Sequence, residues 1–128
     1  MSGHTKLQYH LIFVTKYRKP ILVDRVMNFV KLKIQESLDK FHIDVVAIQG
    51  DDDNHIHVMI SAKPTQSISM IVRHIKQMTS YYAWQTFGPF LRKTYWYHNH
   101  FWSSGYFCST TGEASSSTIK RYIENQGN

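Results

Sequence analysis

Read along the chain, the hydrophobic period switches between two residues and about 3.6 residues in one fixed order, and that order leaves few folds open. Gln8 to Thr15 sets Tyr9, Leu11 and Phe13 against His10, Ile12 and Val14. A β-rich run that is apolar on both faces predicts a strand inside a sheet. From Asp24 to Phe41 the period lengthens: Met27, Val30, Ile34, Leu38 and Phe41 recur at helical spacing, with Lys31, Lys33, Glu36 and Asp39 outside. Asp44 to Gln49 and His55 to Ser61 return to strand patterning and flank the acidic turn Gly50 to Asn54, so a hairpin is expected. After Pro64, Ser67 is placed to cap a second helix with the seam Ile68, Ile71, Ile75, Met78 and Tyr82, ending near Gly88-Pro89. A short strand from Tyr106 to Ser109 and a last helix, capped among Ser115 to Ser117 and running through Gln126, complete the chain. The order β-α-β-β-α-β-α predicts an α+β fold: an antiparallel sheet of four to five strands, two helices on one face, ferredoxin-like in topology, plus a C-terminal helix. With 128 residues and no repeat, a single domain over 1–128 is expected.

Composition narrows the chemistry. Cys108 is the only cysteine, which rules out an internal disulfide and a thiolate-rich zinc site and makes a reducing cytoplasm the expected setting. No stretch has the length of a membrane span, and Met1 to Lys6 lacks the apolar core of a secretory signal. A formal charge of +6 favours a polyanionic partner. Lys16, Arg18 and Lys19 surround Tyr17, while Arg92 and Lys93 adjoin Tyr95, Trp96 and Tyr97; Arg73 and Lys76 add cations on the second helix. Cations interleaved with aromatics suit single-stranded nucleic acid, because ammonium and guanidinium groups follow phosphates while rings stack on unpaired bases. Solvated basic loops beside core aromatics would look the same in sequence.

Two places carry candidate chemistry. On the strand from His55, His55, His57 and Met59 project to one face while Ile56, Val58 and Ile60 face the core. Alternate α-carbons lie about 7 Å apart, close enough for two imidazoles to meet one cation. His98-Asn99-His100 repeats the spacing, but as a strand it would bury Asn99, so it fits a loop better. In the last helix Tyr122 and Gln126 share a face beside the apolar stripe of Ile119 and Ile123. A lone tyrosine there is more often packing than nucleophile, and its ordinary pKa near 10 leaves it protonated at neutral pH.

His55-Ile56-His57 is a His-hydrophobic-His motif, and Tyr122-Ile123-Glu124-Asn125-Gln126 resembles the Tyr-Ile-x-x-Gln ending of the HUH single-tyrosine transposases of minimal insertion sequences. Tyr9 to Arg18, Trp102 to Phe107 and Ser117 to Arg121 support the resemblance, which spans nearly the whole chain. One departure is Asn54, where relatives often have Asp before the first histidine. The resemblance implies a relaxase-like, homodimeric enzyme that recognises hairpins near element ends and cuts single-stranded DNA. It implies Tyr122 as nucleophile, a 5'-phosphotyrosine intermediate, and Mg2+ or Mn2+ held by His55, His57 and Gln126. It also implies active sites shared between subunits, and the small polar tether Ser109 to Ser117 would let the last helix dock on its own domain or a neighbour's.

Two other readings stay in view. A non-catalytic or domesticated single-stranded nucleic-acid-binding protein would use the same fold and basic aromatics without needing Tyr122 and Gln126. A zinc hydrolase would need a third strong ligand and a base near His55, for which Asp51 to Asp53 offer carboxylates.

Overall fold

The computed structural model describes residues 6–96, 100–110 and 116–126, with side chains of the last stretch described from residue 121. Its elements are β1 (Leu7–Val14), α1 (Asp24–Asp39), β2 (Asp44–Asp51), β3 (His55–Ala62), α2 (Ile68–Arg92), β4 (Phe107–Thr110) and α3 (Ser116–Asn125), with a single 3-10 turn at Lys16–Arg18. The sheet has four strands in the order β2-β3-β1-β4, all antiparallel. This is the strand order of a ferredoxin-like β-α-β-β-α-β unit.

β1 lies between β3 and β4, as a run apolar on both faces requires, and Leu11, Ile12, Phe13 and Val14 are all buried. One face of the sheet carries the core: Leu11 and Phe13 of β1 and Ile56, Val58, Ile60 and Ala62 of β3 meet Val26, Val30, Ile34 and Leu38 of α1 and Ile71, Val72 and Ile75 of α2. Apolar burial at these positions is the main force holding the two helices on the sheet. Gly50 lets β2 approach α1, since a Cβ there would collide with the Met27 side chain.

Three expectations are corrected in detail. α1 stops at Asp39, and Phe41 is 48% exposed outside the seam. The helix ends there because His42 takes a left-handed φ of 57° and the Ile43 amide donates back to Leu38 O at 3.1 Å, closing the last turn. α2 is capped by Ser67, whose hydroxyl accepts from the Met70 amide, yet it continues past Gly88-Pro89 to Arg92. The chain bends at Phe87 (φ −119°, ψ 25°), and the proline then falls in the first turn of the renewed helix, where its missing donor is tolerated. The buried seam also moves, with Val72, Thr79 and Ala83 inside and Met78 and Tyr82 only half-buried. No helix among the described residues is long and apolar enough to cross a membrane.

Candidate metal centre and tyrosine helix

The second face of the sheet, turned away from α1 and α2, holds the histidines. Pairing puts Val14 opposite His55, Ile12 opposite both His57 and Phe107, and His10 opposite Met59, so these side chains share that face. The β2–β3 turn is three residues long, with Asp52 and Asp53 at φ 53° and 56°, and it places Asp51 directly opposite His55. One ligand atom each from Asp51, His55 and His57 lies within 4.8 Å of the others. His55 Nε2 stands 3.6 Å from Asp51 Oδ2. Neighbouring ligands about 2.1 Å from one ion stand about 3 to 3.5 Å apart, so the separation fits two donors facing a common cation.

Both imidazoles are tied at their other nitrogen. His55 Nδ1 is 2.8 Å from Asn54 Oδ1, and His57 Nδ1 is 2.8 Å from His10 Nε2. With Nδ1 as the donor in each bond, the lone pair sits on Nε2, the arrangement that orients a metal-binding histidine. Asn54 therefore does for His55 what an aspartate could do, so the departure noted in the sequence does not disorder the ring. Burial holds the His57 pKa down to about 4, reinforced by His55 and His10 and opposed by Asp51. Burial also lowers His55, against the carboxylates of Asp51 and Asp52. Both rings are thus neutral, and able to bind a cation, at neutral pH. The face is less open than the sequence implied, since His55 is only 4% exposed. His57 opens into a cleft of about 360 Å³ shared with His10, Gln49, Asp51 and Met59.

The tyrosine helix lies on the same face of the sheet but on the far side of β1. Tyr122 packs on Phe107 with ring centroids 5.4 Å apart, and its hydroxyl is buried without a partner among the described residues. Burial, and then the neighbouring Tyr106, raise its pKa to about 12. Gln126 donates from Nε2 to Ser103 Oγ at 3.2 Å and to Ser104 O. Gly105, at φ +80°, gives the chain the turn that forms this seat. Ser103 N bonds Val14 O, so the seat is separated from His55 by β1, about two strand spacings or roughly 10 Å. Tyr122 and Gln126 thus share a helix face, as expected, but within one chain Gln126 is turned to the serines and Asp51 stands beside the histidines. The tether from 111 to 115 lies outside the described residues, as do His98 and Asn99 of the second His-x-His motif. His100 contributes its carbonyl to Trp84 Nε1 at 2.8 Å and packs its ring near Tyr17 and Tyr95.

The two basic clusters, remote in sequence, come together. Tyr95 Oη donates to Lys16 O at 2.7 Å, and the Lys16 amide bonds Phe101 O at 2.8 Å. Tyr17 and Arg18 both take left-handed φ values, 57° and 50°, in an exposed loop, which leaves the Tyr17 ring 54% exposed. Trp96, next in sequence to Tyr95, is 96% exposed. Arg18, Lys19, Arg73, Arg92 and Lys93 are exposed. Lys76 differs: its ammonium donates to Ser103 O at 3.0 Å and Gly105 O at 2.5 Å, and burial lowers its pKa. It braces the Gln126 seat. Lys16 and Lys76 also border one groove of about 330 Å³ with Ser80, His100 and Ser103.

Sequence reasoning singled out His55, His57, Tyr122 and Gln126, raised Asp51 only within the acidic run that a zinc hydrolase would use, and missed His10, whose ring meets His57. A three-residue turn would have signalled Asp51; nothing local signals His10, which joins by pairing across 47 positions.

Comparison with known proteins places the chain in a family and confirms the fold. The family profile described as "Transposase IS200 like" matches residues 4–126. The ISDra2 transposase TnpA of Deinococcus radiodurans is 30% identical over 121 residues, covering 94% of this chain and 84% of that protein. The transposase for insertion sequence element IS200 of Salmonella typhimurium is 26% identical over 127 residues, covering 97% and 80%. A crystal structure of a Deinococcus radiodurans R1 protein assigned as a transposase superposes with a TM-score of 0.84 at 30% identity, over 94% of this chain and 91% of that one. A REP-associated tyrosine transposase bound to a REP hairpin shares the fold, with a TM-score of 0.61 at 10% identity over 92% of this chain and 62% of that one. A match from residue 4 to 126, joined to relatives at this level of identity and coverage, makes the chain a member of the IS200-like transposase family.

Proposed function

We propose that the protein cuts and rejoins single-stranded DNA at hairpin-marked ends through a 5'-phosphotyrosine on Tyr122, at a site that binds a divalent cation through His55 and His57. The observation carrying this reading is the pair of neutral imidazoles, fixed at Nδ1 and converging with Asp51, on the sheet face that also carries the tyrosine helix. A cation held there supplies charge neutralisation at a phosphate oxygen as the transition state forms. Asp51 adds a hard oxygen donor to two nitrogens, which moves the donor set toward Mn2+ or Mg2+. Gln126, the third ligand implied by the family resemblance, joins the histidines only if α3 leaves its seat on Ser103 and Ser104 or comes from a second chain.

Tyr122 attacks phosphorus in line: the phenolic oxygen loses its proton as the new P–O bond forms, and the bond to the 3' oxygen breaks, that oxygen taking up a proton. The result is a 5'-phosphotyrosyl link and a free 3'-hydroxyl. The link conserves the phosphodiester, so a second 3'-hydroxyl can displace the tyrosine and join strands without ATP. The Tyr122 hydroxyl is buried with no partner among the described residues, and relocation toward the cation would lower the cost of losing its proton. Such relocation is met by a homodimer whose subunits exchange tyrosine helices. The joined basic and aromatic loops, with Tyr17 and Trp96 outward, provide a path for unpaired bases and their phosphates. A solved structure of the same fold is of a protein bound to a REP hairpin, which supports a hairpin as the DNA feature recognised.

The test is incubation with end-labelled single strands carrying a hairpin, against duplex controls, with Mn2+, Mg2+ or chelator. Cleavage restricted to single strands and stopped by the chelator is expected. Tight binding with no cleavage in either metal would favour the non-catalytic binding protein.

A further inference from the structure

Beyond Tyr122 and the ligand set, the contact with the greatest reach is the one between His10 and His57. We propose that His10 is a positioning residue of the metal centre: its Nε2 accepts the Nδ1–H of His57 and so holds the His57 Nε2 lone pair toward the cation. The inference rests on the metal reading above and adds to it a residue from another strand.

Three observations carry it. The nitrogens are 2.8 Å apart, a full hydrogen bond, and the rings lie with centroids at 5.0 Å and 30° between planes. His10 is fixed by pairing, opposite Met59 in β1, and borders the same cleft as His57 and Asp51. Its Nε2 is occupied by His57, so His10 is not itself placed as a ligand of the ion that His55 and Asp51 face.

The chemistry explains why a histidine serves here. Metal binding through Nε2 needs the ring proton on Nδ1, whereas an unconstrained imidazole distributes it between both nitrogens. An acceptor at Nδ1 selects the competent tautomer and the ring orientation together. A carboxylate would do so too, but it would add negative charge next to a centre that must receive a phosphodiester anion. His10 is a neutral acceptor, and Asn54 Oδ1 does the same for His55. The two ligands are thus served by uncharged partners, and Asp51 is left as the only anion among the three ligating groups.

The experiment uses the full chain without DNA, reading Mn2+ affinity by electron paramagnetic resonance and, in the metal-free protein, the His57 ring tautomer by long-range 1H–15N correlation. In the wild type, Mn2+ should bind and His57 should show Nδ1–H. His10→Leu should weaken Mn2+ binding by about 10- to 100-fold and shift His57 toward Nε2–H. His10→Gln, which carries an acceptor to nearly the same point, should retain most of the affinity, while His10→Asn, one bond shorter, should not. This pair decides the matter even where the leucine variant folds poorly. Unchanged affinity and tautomer in His10→Leu, or equal loss in His10→Gln and His10→Asn, overturns the role of His10 alone. A wild-type protein that binds no Mn2+ overturns the metal reading and the role of His10 with it.

Discussion

The β2–β3 hairpin and α3 are the two halves of one proposed reaction centre, and they are built in opposite ways. On the hairpin, His55 and His57 are fixed by strand register, by hydrogen bonds at Nδ1 and by burial. On α3, Tyr122 has one ring contact and a hydroxyl without a partner among the described residues, and Gln126 is held by a serine pair on the other side of β1. A centre that holds a cation gains from rigidity, because the ligands must already point at one place. A nucleophile that must take up, release and pass on a DNA strand gains from a seat it can leave. Under the proposed reading, the contrast teaches that the half offered to the cation is preformed, and that the tyrosine half has to be delivered to it.

The largest effect that would sharpen this contrast comes from the fixed half. His57→Ala should lower single-strand cleavage by about a thousandfold or more, through loss of transition-state charge stabilisation, while hairpin binding persists on Lys and Arg contacts. Initial rates and filter binding measure the two together. Equal loss of both would make the cation structural and remove the distinction.

The delivered half is tested by complementation. Tyr122→Phe and His57→Ala proteins, each inactive, are mixed under subunit exchange. If tyrosine helices cross between subunits, half the dimers are mixed and each has one intact composite site, so activity should return to about a quarter of wild type. Continued inactivity with proven heterodimers would place the helix on its own domain.

Titration should separate the halves at opposite ends of the pH scale. His57 is neutral in the fold down to about 4 but gains a proton in the unfolded chain below its ordinary 6.5. Its contribution to stability is therefore full above 6.5 and declines as the pH falls toward 4. Tyr122, raised to about 12, contributes below its ordinary 10.0 and loses that contribution as the pH rises from 10.0 toward 12. Urea midpoints across pH should show a shallower acid limb in His57→Ala and a shallower alkaline limb in Tyr122→Phe. An acid limb unchanged by His57→Ala would mean that the ring is not held neutral by the fold.

The smallest effect concerns the basic and aromatic surface proposed to carry the DNA. Replacing Lys16, Arg18 and Lys19 by Ala should flatten the salt dependence of binding by about one logarithmic unit for each phosphate that is no longer neutralised. An unchanged slope would put the strand elsewhere and leave Tyr17 as a solvent-exposed ring.

The same contrast governs how much could be read from the sequence. The helices, the hairpin and the outward His55 and His57 follow from local periodicity, which one chain segment contains by itself. The sequence offered the run Asp51 to Asp53 together, and choosing Asp51 needed the length of a turn in which Asp52 and Asp53 adopt left-handed backbone. His10 needed the register of β1 on β3, and the union of Lys16 with Tyr95 needed a contact across 79 positions. The continuation of α2 beyond Gly88-Pro89 was hidden because a proline ends one helical segment and opens another equally well. The motif named Gln126 as a partner of the histidines, but where a tethered helix docks depends on interactions beyond its own pattern.

The central claim is that Tyr122 attacks the DNA at a cation-dependent site, and mass spectrometry of the covalent product tests it most directly. A labelled single-stranded hairpin substrate is incubated with Mn2+, the adduct is digested with protease and nuclease, and the modified peptide is sequenced. The account predicts a nucleotide joined through its 5'-phosphate to Tyr122, absent with chelator and absent in Tyr122→Phe. Strand cleavage with no adduct, or an adduct on any other residue, would contradict it.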